Sequence, residues 1–313
     1  MTLLEIVWNF EPRVFASSPL PVWYGIMWAV GFLLGYQILK KMYSSDKVPE
    51  KLLDQSFIYV LVGGIVGARL GHIFFYDPQP YLEDPIQFLK IWEGGLASHG
   101  GALGIIIASF LLARKYVDIN LTWLLDRFVV PTALAGFFIR MGNLFNHEIV
   151  GRPTGTDSGF KFLRHDIPTW QAVQMTGTDP EVPGKAYDKI AHDPQFAEFL
   201  ATIPNRYPAQ LYEAICYFFI FWIMLWLYWK TSAKQIRGFL LGAFFILIFG
   251  ARFAIEFLKE NQTELFTELD AKGNMVNTEG LNMGQYLSIP LVAIGLFLVL
   301  RKFKNFKINK KAA

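Results

Sequence analysis

Long apolar runs separated by short charged segments set the pattern of this chain. Seven such runs, at 20–39, 56–75, 94–113, 128–145, 211–229, 238–258 and 286–300, are nearly free of charge, and most are 18 to 21 residues long. A helix rises about 1.5 Å per residue, so runs of this length match the roughly 30 Å hydrocarbon core of a bilayer. The last run is shorter and needs Met283 to Gln285, or Arg301, to extend it. The pattern predicts an all-α membrane protein with seven transmembrane helices and its termini on opposite sides. Between the fourth and fifth helices, residues 146–207 break the pattern with Pro, Asp, Gly and Thr and one weakly helical stretch at 186–202. That segment is too long for a passive link. It predicts an outer-face head inserted into a single transmembrane domain that takes in residues 1–313.

Residues 1–18 contain Glu5, Glu11 and Arg13 and lack the pattern of a removable signal peptide, so they read as an extramembrane lead-in. The chain is 53% hydrophobic and 16% aromatic, with a mean hydropathy of +0.31. A soluble domain does not bury that much apolar surface. The net charge of +3 is small and the basic residues sit in short clusters, which argues against a nucleic-acid partner. Lys40, Lys41, Lys47, Lys51, Arg114, Lys115, Lys230, Lys234, Arg237 and a basic tail from Arg301 to Lys311 lie on one side. The short segments of the other side hold Arg13, Lys90, Lys259 and Lys272. The positive-inside rule then places the N-terminus outside and the C-terminus in the cytoplasm. Cys216, inside an apolar run, reads as an inert buried thiol.

Polar residues within the runs carry the candidate chemistry. Arg69, Arg140 and Arg252 lie 12 to 14 residues along helices that leave the cytoplasm, roughly 18 to 21 Å up. Tyr24 and His99 lie four or five residues into helices that enter from outside, and Glu213 is at the outer end of the fifth helix. Six residues from six helices therefore converge in the outer half of the membrane. An arginine near the bilayer centre costs roughly 3 kcal/mol or more, so such a residue has a partner and a task. Bland readings exist for several of them. Arg69 can satisfy backbone carbonyls, Arg252 and Glu256 can form a structural i,i+4 pair, His99 can be an interhelical hydrogen bonder, and Tyr24 can belong to the aromatic belt. Arg140, Asn143 and Glu148 are harder to dismiss. They combine a cation, an amide and a carboxylate with Gly142 and Gly151, which permit close backbone approach to a ligand.

Other chemistries lack their residues. His147-Glu148 is followed by Ile149, Val150 and Gly151, so the sequence offers no second histidine for a metal site. Ser98 and His99 are adjacent on one helix and point about 100° apart, a poor geometry for a nucleophile and its base. No glycine-rich phosphate loop occurs, and no internal repeat supports a transporter, the alternative use of the same arginines. What remains is a set of fixed cations and amides without a protein nucleophile. Guanidiniums hold a phosphate and stabilise a departing phosphate monoester better, because it carries more charge; the nucleophile then comes from a second substrate.

At these residues the chain resembles the phosphatidylglycerol:prolipoprotein diacylglyceryl transferase family. The family signature Gly-Arg-x-Gly-Asn-Phe-x-Asn-Gly-Glu-x-x-Gly stands here as Ile139-Arg140-Met141-Gly142-Asn143-Leu144-Phe145-Asn146-His147-Glu148-Ile149-Val150-Gly151. Trp23-Tyr24-Gly25, His99-Gly100-Gly101, Pro208-Ala209-Gln210-Leu211-Tyr212-Glu213, Arg252-Phe253-Ala254-Ile255-Glu256-Phe257 and Met283-Gly284-Gln285-Tyr286-Leu287-Ser288-Ile289-Pro290 add to it. Ile139, Leu144 and His147 depart from the usual Gly, Phe and Gly, and Tyr207 stands where Arg-His-Pro is common before Ala209. The resemblance implies a multi-pass protein of the bacterial cytoplasmic membrane, with residues 146–207 as a periplasmic head. It implies transfer of a diacylglyceryl group from phosphatidylglycerol to the lipobox cysteine of a preprolipoprotein, with no cofactor or metal. His99 is then the candidate base, Arg140 and Arg252 carry the leaving phosphate with Arg69 in support, and Tyr24, Asn143 and Asn146 orient the head group. Glu148 and Glu256 position the arginines, and Gly151 completes the lipid site.

Overall fold

The computed structural model describes residues 5–15, 18, 20–90, 94–116, 119–260, 267–269, 275–277 and 280–308. Lys272, Lys310 and Lys311, counted above among the loop charges, lie outside the described residues, as do residues 1–4, 16 and 17 of the N-terminal lead-in. The fold is mostly helical. The elements in order are β1 (Glu5–Trp8), α1 (Trp23–Ser45), α2 (Glu50–Phe75), α3 (Gln79–Glu83), α4 (Ser98–Ala113), α5 (Leu121–Phe145), β2 (Gly159–Phe162), α6 (Leu163–Asp166), α7 (Thr169–Thr176), α8 (Gly184–His192), α9 (Ala197–Thr202), α10 (Ala209–Lys230), α11 (Phe239–Glu256), β3 (Thr267–Leu269), β4 (Met275–Asn277) and α12 (Met283–Leu300). Each of the seven apolar runs falls on a helix: α1, α2, α4, α5, α10, α11 and α12. Five of these, α2, α5, α10, α11 and α12, are long and apolar enough to cross a membrane, which makes this an all-α membrane protein. The apolar part of α4, His99–Ala113, is shorter, and α1 dilutes its apolar residues with Tyr36, Gln37, Lys40 and Lys41.

The chain divides into two compact units. One takes in residues 35–131, 227–241 and 301–313. Its tightest packing is between α2 and α4, where Gly63, Gly67 and Gly71 face Gly100 and Gly104. A Cβ on Gly67 would lie 2.5 Å from the Gly100 carbonyl oxygen and 2.7 Å from the Gly104 Cα. Side chains are absent here because the two backbones touch, the way small residues let helices associate in lipid. Along the same pair runs an apolar groove of about 810 Å³, lined on α2 from Ile58 to Phe75 and on α4 from His99 to Leu111. The opposite end of the unit is polar and buried. Asp126 accepts from the backbone amides of Gly238 (2.6 Å) and Leu241 (2.9 Å), capping the start of α11. Arg127 pairs with Asp46 at 2.9 Å and stacks over Trp123, and Lys234 reaches the other oxygen of Asp46 at 3.2 Å.

The other unit takes in residues 1–34, 132–226 and 242–300. Its head is not built from residues 146–207 alone. β1 pairs in parallel with β2, with Glu5 opposite Gly159 and Trp8 opposite Phe162, so the N-terminal lead-in is an integral strand of the head. Leu163, Ile167, Ala172, Ala186, Tyr187, Ile190, Phe196 and Ile203 form its core. The weakly helical stretch at 186–202 resolves into α8 and α9 with a short 3-10 turn between them, because Pro194 interrupts the helix. A second cluster, Leu144, Val150 and Phe162 with Trp8 and Leu211 against it, ties the head to α5 and α10. Trp8 Nε1 donates to the Leu144 carbonyl at 3.0 Å, and the rings of Phe10 and Phe145 stack at 4.5 Å.

Candidate active site

The signature stretch straddles the end of α5 and the turn that leaves it. Inside the helix, Arg140 and Asn143 are three residues apart and therefore on one face, and Arg140 donates to Asn143 Oδ1 at 3.2 Å. The turn brings Glu148 back toward the helix end: its amide donates to the Asn143 carbonyl at 2.9 Å. Its carboxylate then accepts from Asn143 Nδ2 (3.3 Å) and Asn146 Nδ2 (3.0 Å). Arg140, Asn143, Asn146 and Glu148 thus form one connected polar chain. Gly142 lets the Tyr24 ring pack against this helix, since a Cβ there would lie 2.7 Å from that ring.

The return of the chain depends on two left-handed residues, His147 and Ile149, each with φ of 57°. Position 147 is a glycine in the family pattern, and this backbone conformation explains the preference. Here the histidine is buried instead, with Nε2 donating to the Phe10 carbonyl at 2.9 Å. Burial pushes its imidazole down to about 4, because the charged form loses its water.

Gly151 is a junction of backbones. Its amide donates to the Tyr207 carbonyl at 2.9 Å, and the next amide, of Arg152, donates to the Leu258 carbonyl at 2.9 Å. A Cβ at 151 would lie 2.6 Å from Tyr207 Cβ and 2.7 Å from the Leu258 oxygen. Gly151 thus joins the backbone after α5 to the residues just before α10 and just after α11, and its amide is bonded to Tyr207.

Buried charge gathers beside that junction. Arg140 Nε lies 2.8 Å from Glu213 Oε2, and Glu213 on α10 is 0% exposed. Lys259, 2% exposed, lies 3.6 Å from Glu213 and 3.1 Å from Glu256. The two contacts of Glu213 are ion pairs without hydrogen-bond alignment, whereas Lys259 Nζ donates a hydrogen bond to Glu256 Oε2. Burial pulls the Lys259 ammonium below the usual lysine range, and the two carboxylates oppose that. Glu256 sits directly on α12, where a Cβ at Gly284 would lie 2.5 Å from its carboxyl carbon. Sequence reasoning missed Lys259 and expected Glu256 to serve Arg252. The signal was present as Glu256 and Lys259 three apart, but Lys259 counts as a loop charge when helices are drawn from apolar runs.

Arg252 itself makes no hydrogen bond or ion pair among the described residues, although it lies within electrostatic reach of Lys259 and Tyr217. Its guanidinium is uncommitted. Gln210, at the start of α10, is likewise left over: it is 0% exposed, and neither its amide nitrogen nor its oxygen has a partner among the described residues. A buried polar group without a partner costs about 1–3 kcal/mol, so such a group is retained for a reason.

The remaining expected residues belong to the other unit. Arg69 lies among backbone carbonyls: Nε donates to the Phe88 carbonyl at 3.2 Å, one terminal nitrogen to the carbonyls of Gly94 and Gly95, and the other to those of Gln87 and Lys90. A guanidinium has five N–H donors, and each has a carbonyl here. His99, near the start of α4, is exposed at the Phe75 end of the apolar groove, with its ring 5.4 Å from that of Phe75 and 5.8 Å from that of Tyr76.

Comparison with known proteins gives this arrangement a family. A family model described as prolipoprotein diacylglyceryl transferase matches residues 12–301. A protein of Porphyromonas gingivalis named phosphatidylglycerol-prolipoprotein diacylglyceryl transferase is 40% identical over 307 residues, which cover 96% of this chain and 95% of the relative. Proteins of the same name from Tolumonas auensis (39% over 301 residues, 96% and 98% covered) and Chloroherpeton thalassium (37% over 306 residues, 97% of each) are similar as well. With the signature residues joined in one polar network and the match running through nearly all of its length, this chain belongs to the prolipoprotein diacylglyceryl transferase family.

Proposed function

We propose that this chain transfers the diacylglyceryl group of phosphatidylglycerol to the lipobox cysteine of a preprolipoprotein, the first step of bacterial lipoprotein maturation. A sulfur–carbon bond forms, the carbon–oxygen bond to the phosphate breaks, and the electron pair leaves on glycerol 1-phosphate. The observation that carries this reading is Arg252, without a partner among the described residues, within electrostatic reach of the same Lys259 and Tyr217 as an Arg140 that Glu213 and Asn143 hold in place. A free guanidinium takes the phosphodiester in the ground state and is worth more as the second negative charge develops. Arg140, anchored on one side, offers its remaining donors to the same phosphate. Glu148 and Asn146 fix Asn143, and Asn143 and Tyr24 orient the head group. Glu256 acts through Lys259. The thiol must lose a proton, and His99 is the base we assign, because an imidazole ring nitrogen is a ready proton acceptor.

We place α1, α2, α4, α5, α10, α11 and α12 across the cytoplasmic membrane, with the N-terminus and the 146–207 head outside and the C-terminus inside. The seven apolar runs and the lysine and arginine bias of the loops support this. Asp157→Cys, in the head, is then labelled by an impermeant thiol reagent in spheroplasts; labelling that requires inner-membrane disruption contradicts the orientation.

The test of function uses purified protein, phosphatidylglycerol and a lipobox peptide. The expected product is a peptide heavier by one diacylglyceryl group, with glycerol 1-phosphate released; an unchanged peptide mass overturns the reading. His99→Gln slows transfer at least a hundredfold, and near-normal turnover reassigns the base.

A further inference from the structure

Gln210 has no place in the mechanism above, yet it is the most conspicuous orphan in its unit. Both heteroatoms of its amide are shielded from solvent and unpaired among the described residues. It lies one turn from Glu213 and two turns from Tyr217 on α10, and residues at these spacings share a helix face. Glu213 pairs with Arg140, and the Tyr217 ring packs where a Cβ on Gly136, one turn before Arg140 in α5, would lie 3.0 Å from it. Gln210 therefore extends the face of α10 that meets Arg140 by one turn toward the head.

The chemistry of the amide narrows what it meets. An ammonium is all donor and a phosphate is all acceptor, so either would leave half of a buried amide unsatisfied. A hydroxyl is donor and acceptor at once and pairs with both ends. We propose that Gln210 reads a hydroxyl of the head-group glycerol of the lipid donor and so selects phosphatidylglycerol over phospholipids that lack one. A residue one helical turn from the carboxylate that anchors Arg140 is placed to meet the group esterified to that phosphate. The inference rests on the lipid-transfer reading and deepens it.

The test compares phosphatidylglycerol with phosphatidylpropanol, which has the same charge but no head-group hydroxyl, as donors to one lipobox peptide. Wild-type enzyme prefers phosphatidylglycerol at least tenfold in kcat/KM, since a site built to bind a hydroxyl rejects the analogue that lacks it. Gln210→Leu raises KM for phosphatidylglycerol about tenfold, leaves the analogue unaffected and brings the preference close to one, with the melting temperature unchanged or higher. Gln210→Met, matched in length, gives the same pattern and stands in should the leucine variant fail to fold. A preference within twofold of wild type in the variants overturns the inference, as does a change in KM for the peptide in place of the lipid. Absence of any wild-type transfer from phosphatidylglycerol strikes the reaction itself, so the two failures are distinct.

Discussion

Each unit of this protein buries a carboxylate between an arginine and a lysine, and the two networks differ in what they leave over. In one, Asp46 accepts from Arg127 at 2.9 Å and from Lys234 at 3.2 Å, Arg127 also donates to the Lys234 carbonyl at 3.2 Å, and its guanidinium stacks on Trp123. The neighbouring Asp126 is occupied by two backbone amides. In the other, Glu213 is shared between Arg140 and Lys259 by ion pairs without hydrogen-bond alignment, Arg252 has no partner and Gln210 has none, counting the described residues. Burying charge is costly either way. A network that closes on itself returns that cost as structure, whereas one that stops short is poised for a ligand.

The comparison breaks first at Arg140. Arg140→Ala removes the anchored cation and leaves Glu213 with Lys259 alone, so transfer falls about 1,000-fold or more, measured by peptide mass, while membrane insertion persists. Transfer within tenfold of wild type would place Arg140 with the closed networks. Arg127→Ala has the opposite signature. It leaves Asp46 buried beside Lys234 alone and lowers stability by about 3 kcal/mol, with transfer per folded molecule changed less than threefold. The smaller effect is on acid stability. The His147 imidazole titrates near 6.5 when unfolded and at about 4 when folded. Between these values the unfolded chain binds more protons, so stability is full above 6.5 and is lost as pH falls toward 4. From pH 6.5 to 5 the loss is on the order of 2 kcal/mol. His147→Gln flattens that part of the profile; an unchanged slope assigns it to other groups.

Much of this was legible in the pattern of residues. The seven apolar runs became helices because lipid demands internally bonded backbone over a fixed length, a constraint that depends little on tertiary context. Arg140, Asn143, Asn146 and Glu148 came together because they span one helix end and its turn. The partners of Arg69 were not legible for a physical reason: depth along a helix says that a guanidinium needs partners but not which, and here they include the carbonyls of Gln87, Phe88, Lys90, Gly94 and Gly95. The pairing of β1 with β2 was also hidden, since parallel strands some 150 residues apart share no local signal. Lys259 was missed because it lies at a helix boundary, where a lysine reads as a loop charge; Gln210 was quoted within a motif but given no role, because spacing alone does not show that its amide is buried without a partner.

The central claim is that Arg252 is the uncommitted cation that takes the phosphate. The most direct measurement is the transfer rate of Arg252→Gln in lipid nanodiscs containing phosphatidylglycerol, read by the mass of the lipobox peptide and set beside its melting temperature. The account predicts a loss of at least 1,000-fold with a melting temperature within a few degrees of wild type, because the side chain holds nothing else in place. A rate within tenfold of wild type, or a rate loss matched by unfolding, contradicts it.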